Sequence, residues 1–260
     1  MKYGLITCSY MGRIYGDNKP ETLDWSDMTR RHLAETGDDT LMSIARTARQ
    51  MGLENIELWW GHSDYHTHGE SEAMELAEKL AAEGIYVPAY TIGSWSEKDM
   101  DDMAAAYAYA RGLGARVVVG ALDGTNPGPM LERMALLTDR YGIPFAIENH
   151  PEPNLGYFDD LYACCQPYPW AIGLNLDTGI AANMGYDVTQ LAASLGGTLI
   201  HVHAKPSRPD AEFPVDFASL GEYLRQAGFG GMVSMESNSL QEPTEIFQDI
   251  LAKLGPCSLR

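Results

Sequence analysis

Between Pro144 and Glu236 one short pattern recurs four times: PFAIE (Pro144–Glu148), IGLNLD (Ile172–Asp177), LIHVH (Leu199–His203) and MVSME (Met232–Glu236). Each is an apolar run of strand length closed by a carboxylate or an imidazole. The closing residues stand 29, 26 and 33 positions apart. That is about what one strand, one helix and two loops occupy in a β/α repeat. Parallel strands joined by helices all run the same way, so the four closing residues emerge at one edge of the sheet. Two Glu, one Asp and one His together make a mixed oxygen and nitrogen donor set for one divalent cation.

The alternation extends over the whole chain. Strands are predicted at Tyr3–Ser9, Asn55–Trp59, Tyr86–Ile92, Arg116–Ala121, Pro144–Glu148, Ile172–Asp177, Leu199–His203 and Met232–Glu236. Amphipathic stretches such as TLMSIARTARQMG, SEAMELAEKLAAEG and PTEIFQDILAKLG separate them, and Gly52, Gly84, Gly142 and Gly228 fit the helix C-termini. Eight strands alternating with helices in 260 residues predict one α/β domain, residues 1–260, folded as a (β/α)8 TIM barrel of parallel strands. An open, doubly wound dinucleotide fold would carry GxGxxG after its first strand, and this chain has none. The segment Tyr10–Asp38 is long for a β/α connection. It holds Arg13, Tyr15, Trp25, Arg30, Arg31 and His32, a content suited to an extended loop closing over the barrel mouth.

A formal net charge of −18 argues against nucleic acid and anionic membrane surfaces, both of which call for clustered Lys and Arg. No apolar run approaches the length of a membrane span, and the start MKYGLITCSY reads as a strand instead of a signal peptide. Cys8, Cys164, Cys165 and Cys257 have no CxxC spacing, so a zinc ribbon or redox motif is not expected. Cys164 and Cys165 read as buried thiols in a reduced, cytoplasmic protein.

The segment VDFASLGEYLRQAGFGGMVSMES and the stretch HVHAK resemble the sugar-phosphate isomerase/epimerase-like, or xylose isomerase-like, barrel family. There an Asp-Phe pair opens the helix before the last strand, a Gly-rich turn leads to the last metal Glu, and the second His of HxHxK is a ligand. The resemblance covers nearly the whole chain. It implies that Glu148, Asp177, His203 and Glu236 bind one divalent ion, with Mn²⁺ first and Co²⁺, Mg²⁺ or Zn²⁺ as alternatives. It also implies a homo-oligomer of two or four copies. The chain departs from the family at two positions: Ile180 stands where many epimerases have the His of DTGH, and Pro206 follows the strand-seven Lys where Asp is common. The endonuclease branch needs a His-rich multi-metal site and a basic surface, which are missing here.

An ion held by three carboxylates and an imidazole keeps room for a carbonyl and a neighbouring hydroxyl, acidifies the C–H between them and stabilises the enediolate that follows. The expected function is therefore isomerase or epimerase chemistry in carbohydrate metabolism, by proton transfer through a metal-stabilised enediolate, with Glu148 and Glu236 as catalytic carboxylates. Two alternatives remain open: a lyase on the same scaffold (an inosose-type dehydratase or a C-glycoside-cleaving subunit), or a non-catalytic barrel that binds a sugar or a partner. His150, Lys205, Glu57, Trp59 and Trp95 are candidates for substrate contact, while His201 is assigned to the helix-facing side of its strand. His62, His66 and His68 fit a loop with substrate or subunit contacts better than a second metal. The loops after the last two strands, KPSRPDAEFP and SNSLQEP, carry Lys205 and Arg208 as their only cations. An unphosphorylated sugar or polyol ketone is the better substrate class.

Overall fold

A computed structural model of the chain describes residues 1–15, 31, 38–123, 126–150 and 157–256. Eight parallel strands close on themselves in sequence order: β1 (Lys2–Ile6), β2 (Asn55–Trp59), β3 (Tyr86–Trp95), β4 (Val117–Leu122), β5 (Phe145–Glu148), β6 (Ile172–Asp177), β7 (Leu199–Ala204) and β8 (Met232–Met235). The seam is the parallel pairing of β1 with β8, which sets Tyr3 against Val233 and Leu5 against Met235. Around the barrel run α1 (Asp38–Gln50), α2 (Glu70–Ala82), α3 (Met103–Leu113), α4 (Gly128–Tyr141), α5 (Phe158–Cys165), α6 (Thr178–Asn183), α7 (Val188–Leu195), α8 (Phe217–Gln226) and α9 (Thr244–Leu254). The chain is a (β/α)8 TIM barrel.

Alternation along the strands sorts most of the core into an outer and an inner cluster, with a third, smaller one of Ile6, Cys8, Met11 and Trp59 near the mouth. Outward residues such as Leu5, Leu58, Tyr90, Val118, Phe145, Ile147, Leu174, Leu176, Val202 and Val233 pack beneath the helices. Inward residues Ala89, Val117, Val119, Ala146 and Met232 fill the lower barrel. The inner set is small because a closed barrel leaves little width. At Gly173 a Cβ would come within 2.7 Å of the Ile200 side chain, so glycine here lets Ile200 pack inside. Two steps above Ala146 and four above Met232, on the same inward face, stand Glu148 and Glu236. The interior thus changes from apolar at the bottom to ionisable at the mouth.

Strand ends differ from expectation chiefly at β1, which stops at Ile6 and passes into a 3₁₀ turn, Thr7–Tyr15. Side chains take over the ladder there: Trp59 N donates to Thr7 Oγ1 at 3.0 Å, and Ser237 N donates to Ser9 Oγ at 3.0 Å. The expected loop over the mouth falls largely outside the described residues, Trp25, Arg30 and His32 included. Its described start is anchored by Arg13, which donates to Glu242 Oε1 at 2.8 Å, Thr47 at 3.0 Å and Ser43 at 3.1 Å. The helix stops behave as read: Gly142 takes φ 71° and its N–H donates to Thr138 O at 2.7 Å. Cys8, Cys164 and Cys165 are buried and free. No helix among the described residues is long and apolar enough to cross a membrane.

Candidate metal centre

At the C-terminal mouth, β5 to β8 deliver Glu148, Asp177, His203 and Glu236 to one point, each with a ligand atom within 4.8 Å of the others. His203 Nδ1 lies 2.8 Å from Glu148 Oε1 and 2.8 Å from Glu236 Oε2. Lys205, two residues beyond His203, sends its Nζ to Asp177 Oδ2 at 3.0 Å and Glu236 Oε1 at 2.7 Å. Asp177 also caps α6, its Oδ1 accepting from Ile180 N at 2.8 Å, so both carboxylate oxygens are held.

Two supporting residues went unnoticed in the sequence. Asn149 is buried and clamps the backbone of Asp177, accepting from its N–H at 2.7 Å and donating to its carbonyl at 3.2 Å. With its amide turned so that oxygen and nitrogen both meet suitable partners, Asn238 donates to Glu236 Oε1 at 3.0 Å and accepts from Lys205 Nζ at 2.9 Å. Both lie within two residues of a strand-closing carboxylate, and that proximity was the available signal.

The electrostatics follow from crowding. Burial resists ionisation of Glu236, yet the Lys205 ammonium and His203 beside it outweigh that and hold its carboxyl down at about 2. Asp177 is pushed up to about 6 by burial, with Glu236 and Glu148 adding to the rise against the pull of Lys205. Burial disfavours a charged His203, but Glu57, Glu148 and Glu236 surround it and lift it well above the usual imidazole range. Isolated buried ions cost several kcal/mol each, so this density of carboxylate is tolerable only with cations among them.

The donor set fits a divalent ion. Hard cations of this size bind oxygen at about 2.1 Å, so donors on opposite sides of one ion stand roughly 4.2 Å apart, and the four donor atoms lie within 4.8 Å of one another. Glu236 Oε2 is buried and in charge contact with His203, but receives no hydrogen bond. Its lone pair is available.

The remaining candidates are distributed unevenly. Lys205 is at the centre, and His150 is partly exposed just past β5. Trp59, 4% exposed, packs with Ile6, Cys8 and Met11 near the mouth. Trp95 belongs to the helix-facing core: it stacks on Phe145 with ring centroids 5.4 Å apart, and its indole donates to Tyr65 at 3.3 Å. Glu57 is fully buried below His203, with its carboxylate on two imidazoles, so the structure gives it a place in the barrel interior instead of at a sugar. His201 also corrects the expectation. Residues two apart on a strand share a face, and His201 points into the barrel beneath His203, fully buried. The three loop histidines do not converge on one point. His62 packs edge-on against Trp59 at 5.2 Å, His66 Nδ1 bonds Asp64 Oδ1 at 2.6 Å, and His68 Nδ1 contacts Asp64 O at 3.1 Å.

Residues 45–256 match the family described as xylose isomerase-like TIM barrel. The chain belongs to that family. No curated protein matches it. Among solved structures, an uncharacterised protein of Parabacteroides distasonis superposes with a TM-score of 0.70 at 17% identity, covering 97% of both chains. A D-psicose 3-epimerase solved in the presence of D-fructose gives 0.66 at 16% identity, covering 98% of this chain and 94% of its own. A probable 3-DHS dehydratase, AsbF, of Bacillus anthracis gives 0.63 at 14%, covering 98% and 97%. At these identities the likeness establishes the fold. Two of these three neighbours carry enzyme names, a sugar epimerase and a probable dehydratase.

Proposed function

We propose that this family member is a divalent-metal-dependent isomerase or epimerase of a small unphosphorylated sugar or polyol ketone, working through an enediolate. Glu148, Asp177, His203 and Glu236 are its metal ligands, with Mn²⁺ the first choice. The observation that carries the proposal is the convergence of these four donors at the mouth of the barrel, where barrel enzymes do their chemistry. When bound, the ion would polarise a substrate carbonyl and acidify the adjacent C–H.

The chain's own residues supply the proton transfers. Glu236 is held in the ionised form that can accept a proton, but a carboxylate steadied this strongly is a weak base, and it would depend on a bound ion to acidify the C–H it takes. Glu148 leaves β5, three strands away, and would give the enediolate a proton of its own from the other side, so that one turnover leaves Glu148 a proton short and Glu236 with the proton it took. Return to the other face of the same carbon gives an epimer, and return to the neighbouring carbon gives an aldose–ketose pair. Lys205, positive between Asp177 and Glu236, is placed to steady a developing oxyanion. An unphosphorylated substrate is favoured because Lys205 is already committed to two carboxylates, while Arg208 is exposed and faces Asp210 at 3.6 Å. The setting proposed is cytoplasmic, consistent with the three buried free thiols.

A lyase outcome is the second reading. It is favoured by Ile180, an apolar side chain at the substrate-contacting His position of many epimerases, and by the dehydratase among the structural neighbours. The test is incubation of Mn²⁺-loaded protein in D₂O with free ketoses, aldoses, inososes and hydroxypyruvate, read by mass spectrometry. Deuterium on a sugar carbon is the expected result. Loss of water from an inosose would transfer the assignment to the lyase. No change in any compound, with metal bound, would end the enzymatic proposal for this substrate class.

A further inference from the structure

Beneath the proposed metal centre the barrel holds a second, closed tier of polar groups. Glu57, Thr91, Asn175, His201 and Ser234 are between 0% and 6% exposed. Glu57 Oε2 lies 2.7 Å from His201 Nε2, and Glu57 Oε1 lies 3.0 Å from His203 Nε2. The Thr91 hydroxyl donates to Glu57 Oε1 as well, and Ser234 Oγ stands 3.4 Å from His201 Nε2. Glu57, His201 and His203 also bring donor atoms within 4.8 Å of one another. Each imidazole contact is nevertheless already at hydrogen-bond distance, and one carboxylate is little charge for an ion sealed from solvent. Hydrogen bonds account for the contacts among Glu57, His201 and His203 without coordination.

We infer that Glu57, steadied by His201 and Thr91, is the residue that fixes which nitrogen of His203 faces the metal centre. The reasoning is donor and acceptor accounting. An ionised carboxylate only accepts, so His201 Nε2 and His203 Nε2 must both carry their protons toward Glu57. His203 Nε2 keeps its hydrogen throughout, and Nδ1, which faces Glu148 and Glu236 at 2.8 Å, is the nitrogen that gives up its proton and offers its lone pair when an ion takes that place. The arrangement is a carboxylate–histidine–metal relay, in which the outer carboxylate sets the tautomer and orientation of the ligand ring. Glu57 is thus a positioning residue. It reaches the proposed metal through His203 and, being fully buried, has no path to the substrate. This rests on the proposed ligand role of His203.

Glu57→Gln is the informative change because it preserves size and removes one acceptor. A glutamine offers one oxygen and one N–H₂ to two histidines that both donate. With the amide N–H₂ on His203, that ring turns its proton to Nδ1 and loses the lone pair aimed at the ion. With the amide oxygen on His203, the N–H₂ faces His201, which must move its proton to a buried Nδ1 that has no partner. Mn²⁺ affinity by calorimetry and the visible spectrum of the Co²⁺-loaded protein are the readouts, on variants checked for folding by circular dichroism. The expected result is a fall in Mn²⁺ affinity of about 10- to 100-fold with an altered Co²⁺ spectrum, partly recovered in Glu57→Asp. A folded Glu57→Gln with the parent's affinity and spectrum overturns the inference. Should Glu57→Gln not fold, His201→Leu decides. It frees Glu57 to shift away from His203 and is expected to cost about tenfold in affinity, and parent-like binding would count equally against the inference. Failure of the unaltered protein to take up either ion would instead remove the metal site itself, and the relay with it.

Discussion

Lys205 occupies an unusual place for a lysine: almost enclosed, with its ammonium bridging Asp177 and Glu236. Burial disfavours its charge, but Asp177, Glu236 and Glu148 raise its pKa, so it is a permanent internal cation. It therefore competes with a metal for the same carboxylates while supplying charge for catalysis. Lys205→Met is expected to bind Mn²⁺ more tightly, since unrelieved carboxylate repulsion favours the ion, while kcat falls about 10²-fold. Calorimetry and steady-state rates separate the two effects, and weaker metal binding would show that Lys205 organises the ligands instead of competing with them. The four closing residues were legible in the sequence because each sits at the end of its own strand. Glu57 was legible only as a charge at a strand end. Its partners lie 144 and 146 positions away, a separation that no local pattern reports. His201 could have been placed by counting two back from His203, and it was assigned to the wrong face.

Elements show the same division between local and distant information. The Asp-Phe pair that opens the helix before the last strand is a local signal, and Asp216 indeed caps α8, accepting from Ala218 N at 3.0 Å, Ser219 N at 3.1 Å and Ser219 Oγ at 2.7 Å. Asp216→Ala should cost about 1 kcal/mol in denaturant unfolding. The Ser219 hydroxyl and backbone N–H lower the Asp216 pKa below its ordinary 3.8. Its ionised cap therefore contributes above that ordinary value and is lost as pH falls through the lower, folded one. The difference between parent and variant should accordingly shrink in strong acid, and a constant difference would mean that the cost is not electrostatic. On β6 the information is distant. Asn175 is fully buried in the barrel, and neither its oxygen nor its nitrogen has a hydrogen-bond partner. Burying an amide without partners costs roughly 1–3 kcal/mol, so Asn175→Leu, close in volume, is expected to raise thermal stability. A clear loss would mean that the amide binds something essential, such as an internal water. Strand β1 ends early for a comparable reason: Thr7 and Ser9 bond to β2 and the loop after β8, contacts invisible in the run GLITCS.

At the scale of the whole molecule, the eightfold alternation of strand and helix carried the architecture, because each repeat announces itself locally and closure follows from their number. The chemistry depends on a consequence of closure. The proposed ligands leave β5, β6, β7 and β8, so half the barrel contributes to one point, and β8 also forms the seam with β1. An ion held there joins four strands at the end where like charges crowd, in a molecule of net charge −18. Binding to the folded state alone stabilises by RT ln(1 + [L]/Kd), about 2.7 kcal/mol at a hundredfold excess over Kd. For a chain of this size each kcal/mol shifts the melting temperature by about 2–4 °C, so saturating Mn²⁺ should raise Tm by roughly 5–11 °C. A chelator should reverse the shift. Glu236→Gln should abolish most of it while leaving the metal-free protein folded, since the variant removes one buried charge from a cluster with more carboxylates than cations. A melting temperature indifferent to Mn²⁺, Co²⁺, Mg²⁺ and Zn²⁺ alike would leave the convergence of four strand ends without its cation, and the enediolate chemistry proposed for it would fall at the same time.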